Sequence, residues 1–367
     1  MFYIIDDISL PQRTAASKAR RDIDFFLQPD QELWLYHKEQ KGVAQWEIFK
    51  NKRRILRQIG ENDLFLVHWP LYLRRPCNGS RWLGKIKGAG IALVHDLNSL
   101  RERQGKQAIK REIKALNQFQ AVIVHNEKMK EWLTEQGLKA PMVVLGIFDY
   151  RAEEKEKVRQ EEQTRIRPEE KERAGKGISE LVVAGNLSPN KAGYLYQPFQ
   201  AENFKINAYG TGYIFPEKES DQKESKKQDS NSVCYQGSFA PELLPRVMKG
   251  DFGLVWDGPA TETCLGPTGE YLRYNNPHKV SLYIRSGLPV ILWEEAAFAD
   301  LIRERKLGFT IRSLQELEES LKKVTETEYA EYRQNVEALS RELEDGAFTK
   351  RAMAEAIKYI KKENNED

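Results

Sequence analysis

Short runs of Ile, Val, Leu and Tyr recur along the first 150 residues: FYIID, LWLYH, DLFLVHW, IALVHD, AVIVHN and MVVLGI. Each is apolar almost throughout, the pattern of a strand covered on both faces. Between them, residues 15–27, 44–59, 106–117 and 127–136 carry apolar positions at helical spacing. Strands alternating with helices make a parallel sheet, so the spacing predicts a Rossmann-like domain over residues 1–150. The alternation stops at residues 151–178, which are mostly charged and read as a linker or a solvated helix. It restarts with LVVAGN, KINAYG, SVCYQGS, GDFGLVW, LPVILW and LGFTI, predicting a second Rossmann-like domain over 179–345. Within it, residues 216–232 are a polar surface insertion. From about Leu314 the pattern is helical, broken at DGAFT, where Gly346 suits a helix end and Thr349 the next N-cap. Residues 346–367 then form a C-terminal helix able to pack back on the first domain.

Composition narrows the class. A chain of 367 residues exceeds the size at which one core stops growing, which agrees with two domains. A net charge of +3 from 58 basic and 55 acidic side chains gives no field suited to nucleic acid. Cys77, Cys234 and Cys264 are too few and too scattered for a disulfide framework or a zinc site, and point to a reducing cytoplasm. No run approaches the ~18 apolar residues of a membrane span, and MFYIID begins on a strand rather than a leader; neither secretion nor membrane spanning is expected.

In an open α/β sheet, ligands bind beyond the carboxyl ends of the strands. Strand ends here carry His68, the pair His95 and Asp96, and the pair His125 and Asn126. A dinucleotide fingerprint is missing, because ISLPQRTAASKAR follows the first strand without a glycine. A different anion site stands in NNPHKVSLYIRSGLPVILW, residues 275–293, where Pro277 opens a helix and Lys279 falls in its first turn. A cation there is mildly unfavourable to the helix itself, so its place beside the free N–H groups suits a diphosphate.

The same segment is similar to the sugar-nucleotide region of GT-B glycosyltransferases, two Rossmann-like domains facing each other across a cleft. HDLNSLR, VIVHNEKMKEWL, VVAGNLSPNKAGYLY, YQGSF, DFGLVWDG and GEYLRYNNPHK together resemble the bacterial family of streptococcal glucosyltransferase 3 and galactofuranosyltransferase-like proteins. The resemblance implies that the second domain holds a UDP-sugar, with Asn276, His278 and Lys279 on the diphosphate or ribose, and Asn186 and Lys191 beside them. It implies a donor contact for Thr14. Tyr209 or Tyr235 would stack on uracil, with Gly210 or Gly237 admitting the backbone. Many such enzymes place a Glu three residues after the lysine; here that residue is Leu282, so Glu270 or Asp257 is the candidate for the sugar.

Transfer needs stabilisation of the departing diphosphate and a base for the acceptor hydroxyl. Asp96 or His95 is the candidate base, with Asp7 and His68 in reserve, and Trp69 and Tyr72 are candidate sugar platforms. Asp6 and Asp7 are adjacent, but no Asp-x-Asp motif lies near a strand end, and neither a metal nor another cofactor is expected. The resemblance implies a hexose, glucose first, passed to a GlcNAc-containing glycan on a serine-rich adhesin, and a homo-oligomer. A noncatalytic glycan-binding relative, or a galactofuranosyl- or N-acetylglucosaminyltransferase of polysaccharide synthesis, stays open.

Overall fold

A computed structural model describes residues 1–7, 15–35, 45–71, 80–151, 179–197, 204–215 and 233–366. Thr14, Tyr72, Cys77, the charged stretch 152–178 and the insertion 216–232 lie outside them. The chain divides into two compact units, Met1–Arg151 with Tyr274–Asn276 and Asp345–Asp367, and Ala152–Arg273 with Pro277–Glu344.

The first unit is built on β1 (Phe2–Asp6), β2 (Gln31–Trp34), β3 (Leu64–Trp69), β4 (Ala89–Val94), β5 (Ala121–Val124) and β6 (Met142–Val144). All pairings are parallel, in the order β2-β1-β3-β4-β5-β6. Ile5, Leu66, Val67, Ala92, Val94 and Val122 are wholly buried, as the uninterrupted apolar runs require. Helices Ala15–Leu27, Gln45–Gln58, Lys106–Leu116 and Glu127–Glu135 fill the connections, each within a residue or two of its sequence expectation. The final helix, Ala347–Glu366, packs on β5, β6 and the helix Ala15–Leu27 through Phe348, Ala352, Met353, Ala356 and Ile360. It belongs to the first unit although it is last in the chain. Its N-terminus is not capped by the expected Thr349. Asp149, from the segment after β6, accepts from Phe348 N at 3.3 Å and from Thr349 N at 2.6 Å. Burial raises the Asp149 pKa to about 6, against the pull of these hydrogen bonds and of Arg351.

The second unit carries β7 (Ser179–Asn186), β8 (Phe204–Thr211), β9 (Val233–Gly237), β10 (Phe252–Val255), β11 (Val290–Trp293) and β12 (Gly308–Ile311). Again every pairing is parallel, in the order β12-β11-β10-β7-β8-β9. The helix His278–Arg285 lies on β10: Tyr283 donates to Leu254 O at 3.2 Å and accepts from Ala184 N at 2.9 Å. Gly253 is required beneath it, since a Cβ there would stand 2.2 Å from the Tyr283 ring. The long helix Glu326–Glu344 covers the outer side of His278–Arg285, where Arg285 donates to Ser340 O and Oγ and pairs with Glu344.

In each sheet the chain runs first to one side and then to the other. The reversal falls between β1 and β3 in the first sheet and between β7 and β10 in the second. At such a point two adjacent strands send their following loops apart, and ligands of α/β sheets settle in the opening.

Candidate functional site

At the second sheet's reversal three charged side chains converge. Asp257 follows β10 and is 4 % exposed. Its Oδ1 accepts from Lys279 Nζ at 2.8 Å and its Oδ2 pairs with Lys191 Nζ at 3.1 Å. Burial alone would raise the Asp257 pKa; the charges of Lys191 and Lys279 outweigh it and hold the carboxyl below its usual range. Two ammonium groups on one carboxylate leave the cluster with a net charge of about +1. Lys279 sits in the first turn of His278–Arg285, a helix whose N-cap is Pro277 and which has no side-chain cap. Lys191 lies on the short helix Pro189–Ala192 after β7, and its carbonyl accepts from Gly258 N at 2.7 Å, which ties the β7 loop to the β10 loop. The stem of Lys279 passes Gly185 at the end of β7, where a Cβ would approach its Cε to 3.4 Å. The result is a partly exposed cation pair set at a helix N-terminus, an arrangement suited to a multiply charged anion.

The other residues named for the nucleotide fall in different places. Asn186 is exposed at the end of β7, with Oδ1 accepting from Ser188 N at 2.9 Å. His278 opens the helix beside Lys279. Asn276 is a correction: it belongs to the first unit, and its Nδ2 donates to His125 O at 2.7 Å and Gly146 O at 2.6 Å while its Oδ1 accepts from Asn126 at 2.6 Å. Its amide is occupied in structure. Tyr209 is a second correction, being 3 % exposed with its hydroxyl accepting from Lys249 N, which leaves no face for a base to stack on. Gly210 serves the sheet, because a Cβ there would stand 1.8 Å from Gly185 O. Tyr235 donates to Gly210 O at 2.9 Å and lies parallel to Tyr213 at 4.9 Å, one ring of a group with Tyr196 and Phe215. Gly237, with φ of 103°, ends β9. Glu270 lies in the short helix Gly266–Tyr271 rather than in a loop. Asp257, expected on the sugar, has each oxygen committed to a lysine and acts as the anchor of the cations.

The reversal in the first sheet holds a second constellation. His68, fully buried in β3, is bonded through Nε2 to Asp24 Oδ1 at 2.8 Å and through Nδ1 to His95 Nε2 at 2.8 Å. The carboxylate fixes the tautomers in turn. Asp24 accepts from His68 Nε2–H, and His68 Nδ1 then accepts from His95 Nε2–H. The His95 ring stacks on Phe148 at 5.7 Å. Asp96, the other candidate base, is paired with Arg101 at 2.5 Å. Asp7 is buried beside Asp6, with Arg20 against both carboxylates and donating to Pro70 O. His125 accepts from Asn276 N on Nδ1 and therefore donates Nε2–H to Val94 O; burial lowers its pKa to about 4, and it stays neutral. Trp69 is 8 % exposed and packs edge-on against Phe119, so it is core. Asp24 was not singled out in the sequence. The signal was present in SKARRDID, where Lys18, Arg20, Asp22 and Asp24 share the helix with Ala19 and Ile23 and are all buried.

The sequence matches the family described as glucosyltransferase 3-like, through its N-terminal domain over residues 1–147 and its C-terminal domain over residues 181–356. It is 27 % identical over 370 residues to the beta-1,6-galactofuranosyltransferase WbbI of Escherichia coli K12, covering 98 % of this chain and 99 % of that one. It is 27 % identical over 336 residues to glucosyltransferase 3 of Streptococcus gordonii, covering 90 % and 89 %. Among solved structures, Anabaena HepE in complex with UDP-glucose superposes with a TM-score of 0.59 at 13 % identity over 97 % of this chain and 99 % of that one. Sucrose-phosphate synthase of Thermosynechococcus elongatus gives 0.56 at 11 % identity over 98 % of each. Two parallel-sheet α/β domains with these neighbours are the GT-B fold, and the chain belongs to the glucosyltransferase 3-like family of glycosyltransferases.

Proposed function

We propose that the protein transfers a hexose from a UDP-sugar to the hydroxyl of an acceptor glycan. The observation that carries this reading is the Lys191–Asp257–Lys279 cluster at the tip of the helix His278–Arg285. Asp257 holds both ammonium groups in place before substrate arrives, and each retains donors for phosphate oxygens. As the bond between the anomeric carbon and the diphosphate breaks, charge grows on the leaving oxygen. A fixed cation pair with a helix N-terminus stabilises that charge without reorganising. The His95 imidazole accepts the proton of the acceptor hydroxyl, and the resulting imidazolium is steadied through His68 by Asp24. The roles of Asn186 and His278 as further donor contacts, and of Glu270 on the sugar, belong to the same proposal.

The names of the relatives order the donors to be tried: UDP-glucose first, from glucosyltransferase 3, and UDP-galactofuranose second, from WbbI. The test is release of UDP across a panel of UDP-sugars with a GlcNAc-bearing glycopeptide as acceptor, read also as a mass gain of one hexose. Transfer from one donor supports the reading. Tight UDP binding with no transfer from any donor to any glycan tried would instead make the protein a noncatalytic relative.

A further inference from the structure

The helix Gln45–Gln58 has a face that transfer chemistry does not use. Trp46 is 66 % exposed and Phe49 54 %, with ring centroids 6.4 Å apart. Lys50, Arg53, Arg54 and Arg57 are exposed as well. At ~100° per residue, positions 46, 49, 50, 53 and 57 fall within about a quarter to a third of a turn, so both rings and three of the cations share one stripe. The roll of the helix is set from its other side. Ile55 is wholly buried, Asn51 donates to Leu35 O at 2.9 Å, and Lys52 lies over the Trp82 ring at 5.4 Å. The aromatics therefore face outward because the core-side contacts leave them there.

The charge on this helix is one-sided. It has five Lys and Arg and a single acid, Glu47. Among the described residues no carboxylate pairs with Lys50, Arg53, Arg54 or Arg57. By contrast Lys322, Lys323 and Arg341 on later helices each pair with a Glu one turn away. A solvated helix face needs neither two large exposed rings nor unbalanced cations in line with them. Tryptophan and phenylalanine seat at the level of lipid headgroups, and lysine and arginine beside them reach the phosphates. No helix among the described residues is long and apolar enough to cross a membrane, so such an attachment would be peripheral. We propose that the face carrying Trp46, Phe49, Lys50, Arg53 and Arg57 docks the protein on an anionic lipid surface. This goes beyond the transfer reaction and does not rest on it.

The test is cosedimentation of the full chain with vesicles of phosphatidylcholine alone and of phosphatidylcholine mixed with phosphatidylglycerol, at low and high salt. Two variants accompany it, Trp46→Ser with Phe49→Ser, and Lys50→Gln with Arg53→Gln and Arg57→Gln. Both change exposed side chains, and unchanged thermal melts confirm their folds. The expected result is on the order of tenfold stronger binding to the anionic vesicles, falling with salt and lost in both variants. Equal partition to the two vesicle types overturns the proposal. So does an aromatic variant that still binds like the parent, because the surface would then be a general polyanion site. A self-association of the parent that Trp46→Ser with Phe49→Ser abolishes would assign the face to a second copy, and would likewise overturn it.

Discussion

The place of Lys279 in a first helical turn was legible in the sequence, but its pairing with Asp257 changes what its removal would do. Lys279→Ala leaves a buried carboxylate with one cation instead of two, so it is expected to cost about 3 kcal/mol of stability as well as activity. Adding Asp257→Asn removes the stranded charge. The double variant is expected to recover most of the melting temperature while kcat stays down by roughly 100- to 1,000-fold, the scale for loss of a preorganised charge donor. Recovery of kcat along with stability would show that Lys279 serves the fold alone. Because the folded pKa of Asp257 is depressed, its contribution to stability is present above the ordinary aspartate pKa of 3.8 and is lost as pH falls below it; Asp257→Asn should flatten that part of an acid-unfolding profile. His95 was legible as a strand-end histidine. The order Asp24–His68–His95 was not, because it joins a helix to two strands by contacts that no local pattern records. His95→Ala is expected to lower kcat by roughly 100- to 10,000-fold with little change in donor KM. Asp24→Asn, which frees the His68 tautomer, should lower kcat by a smaller factor and alter the acid limb of the pH profile. An Asp24→Asn enzyme with an unchanged profile would leave Asp24 a structural residue.

At the scale of elements, the apolar runs located the twelve strands found among the described residues, since a parallel strand buried on both faces has few other ways to be written. Their ends were less legible. The run LWLYH starts at Leu33, yet pairing in β2 already begins at Gln31; its last two residues, Tyr36 and His37, lie outside the described residues. Asn276 shows a further limit: its near neighbour Lys279 joins the cluster at Asp257, while its amide is consumed by His125, Gly146 and Asn126 far away in the chain. The capping of the last helix is also long-range. Gly346 was read correctly as a break, but the cap comes from Asp149 rather than Thr349. With its folded pKa raised to about 6 from 3.8, Asp149 binds its proton more tightly in the folded state, so stability declines as pH rises from about 4 to about 6. Two pKa units correspond to about 3 kcal/mol at most. Denaturation of the parent and of Asp149→Asn across this range should show the variant gaining on the parent as pH rises. Parallel profiles would contradict the burial of that charge.

For the whole molecule, repetition of the strand–helix pattern either side of a charged stretch was sufficient to read two Rossmann-like domains, and the order of strands explains where the two side-chain clusters lie. Each sheet reverses once, and each reversal holds a cluster of titratable side chains: Lys191, Asp257 and Lys279 in one, Asp24, His68 and His95 in the other. Composition could not reveal this, because reversal points depend on which strands pair and not on how each is written. The donor sugar is equally absent from the pattern, since under the proposed reading the cation pair would meet only the diphosphate, which all UDP-sugars share. The most direct measurement is therefore a crystal structure with UDP bound. The account requires the diphosphate within hydrogen-bond distance of Lys279 Nζ or Lys191 Nζ, at the N-terminus of His278–Arg285, with Asp257 still between the two lysines. Phosphates bound at any other place, with the Lys191–Asp257–Lys279 cluster untouched, would contradict it.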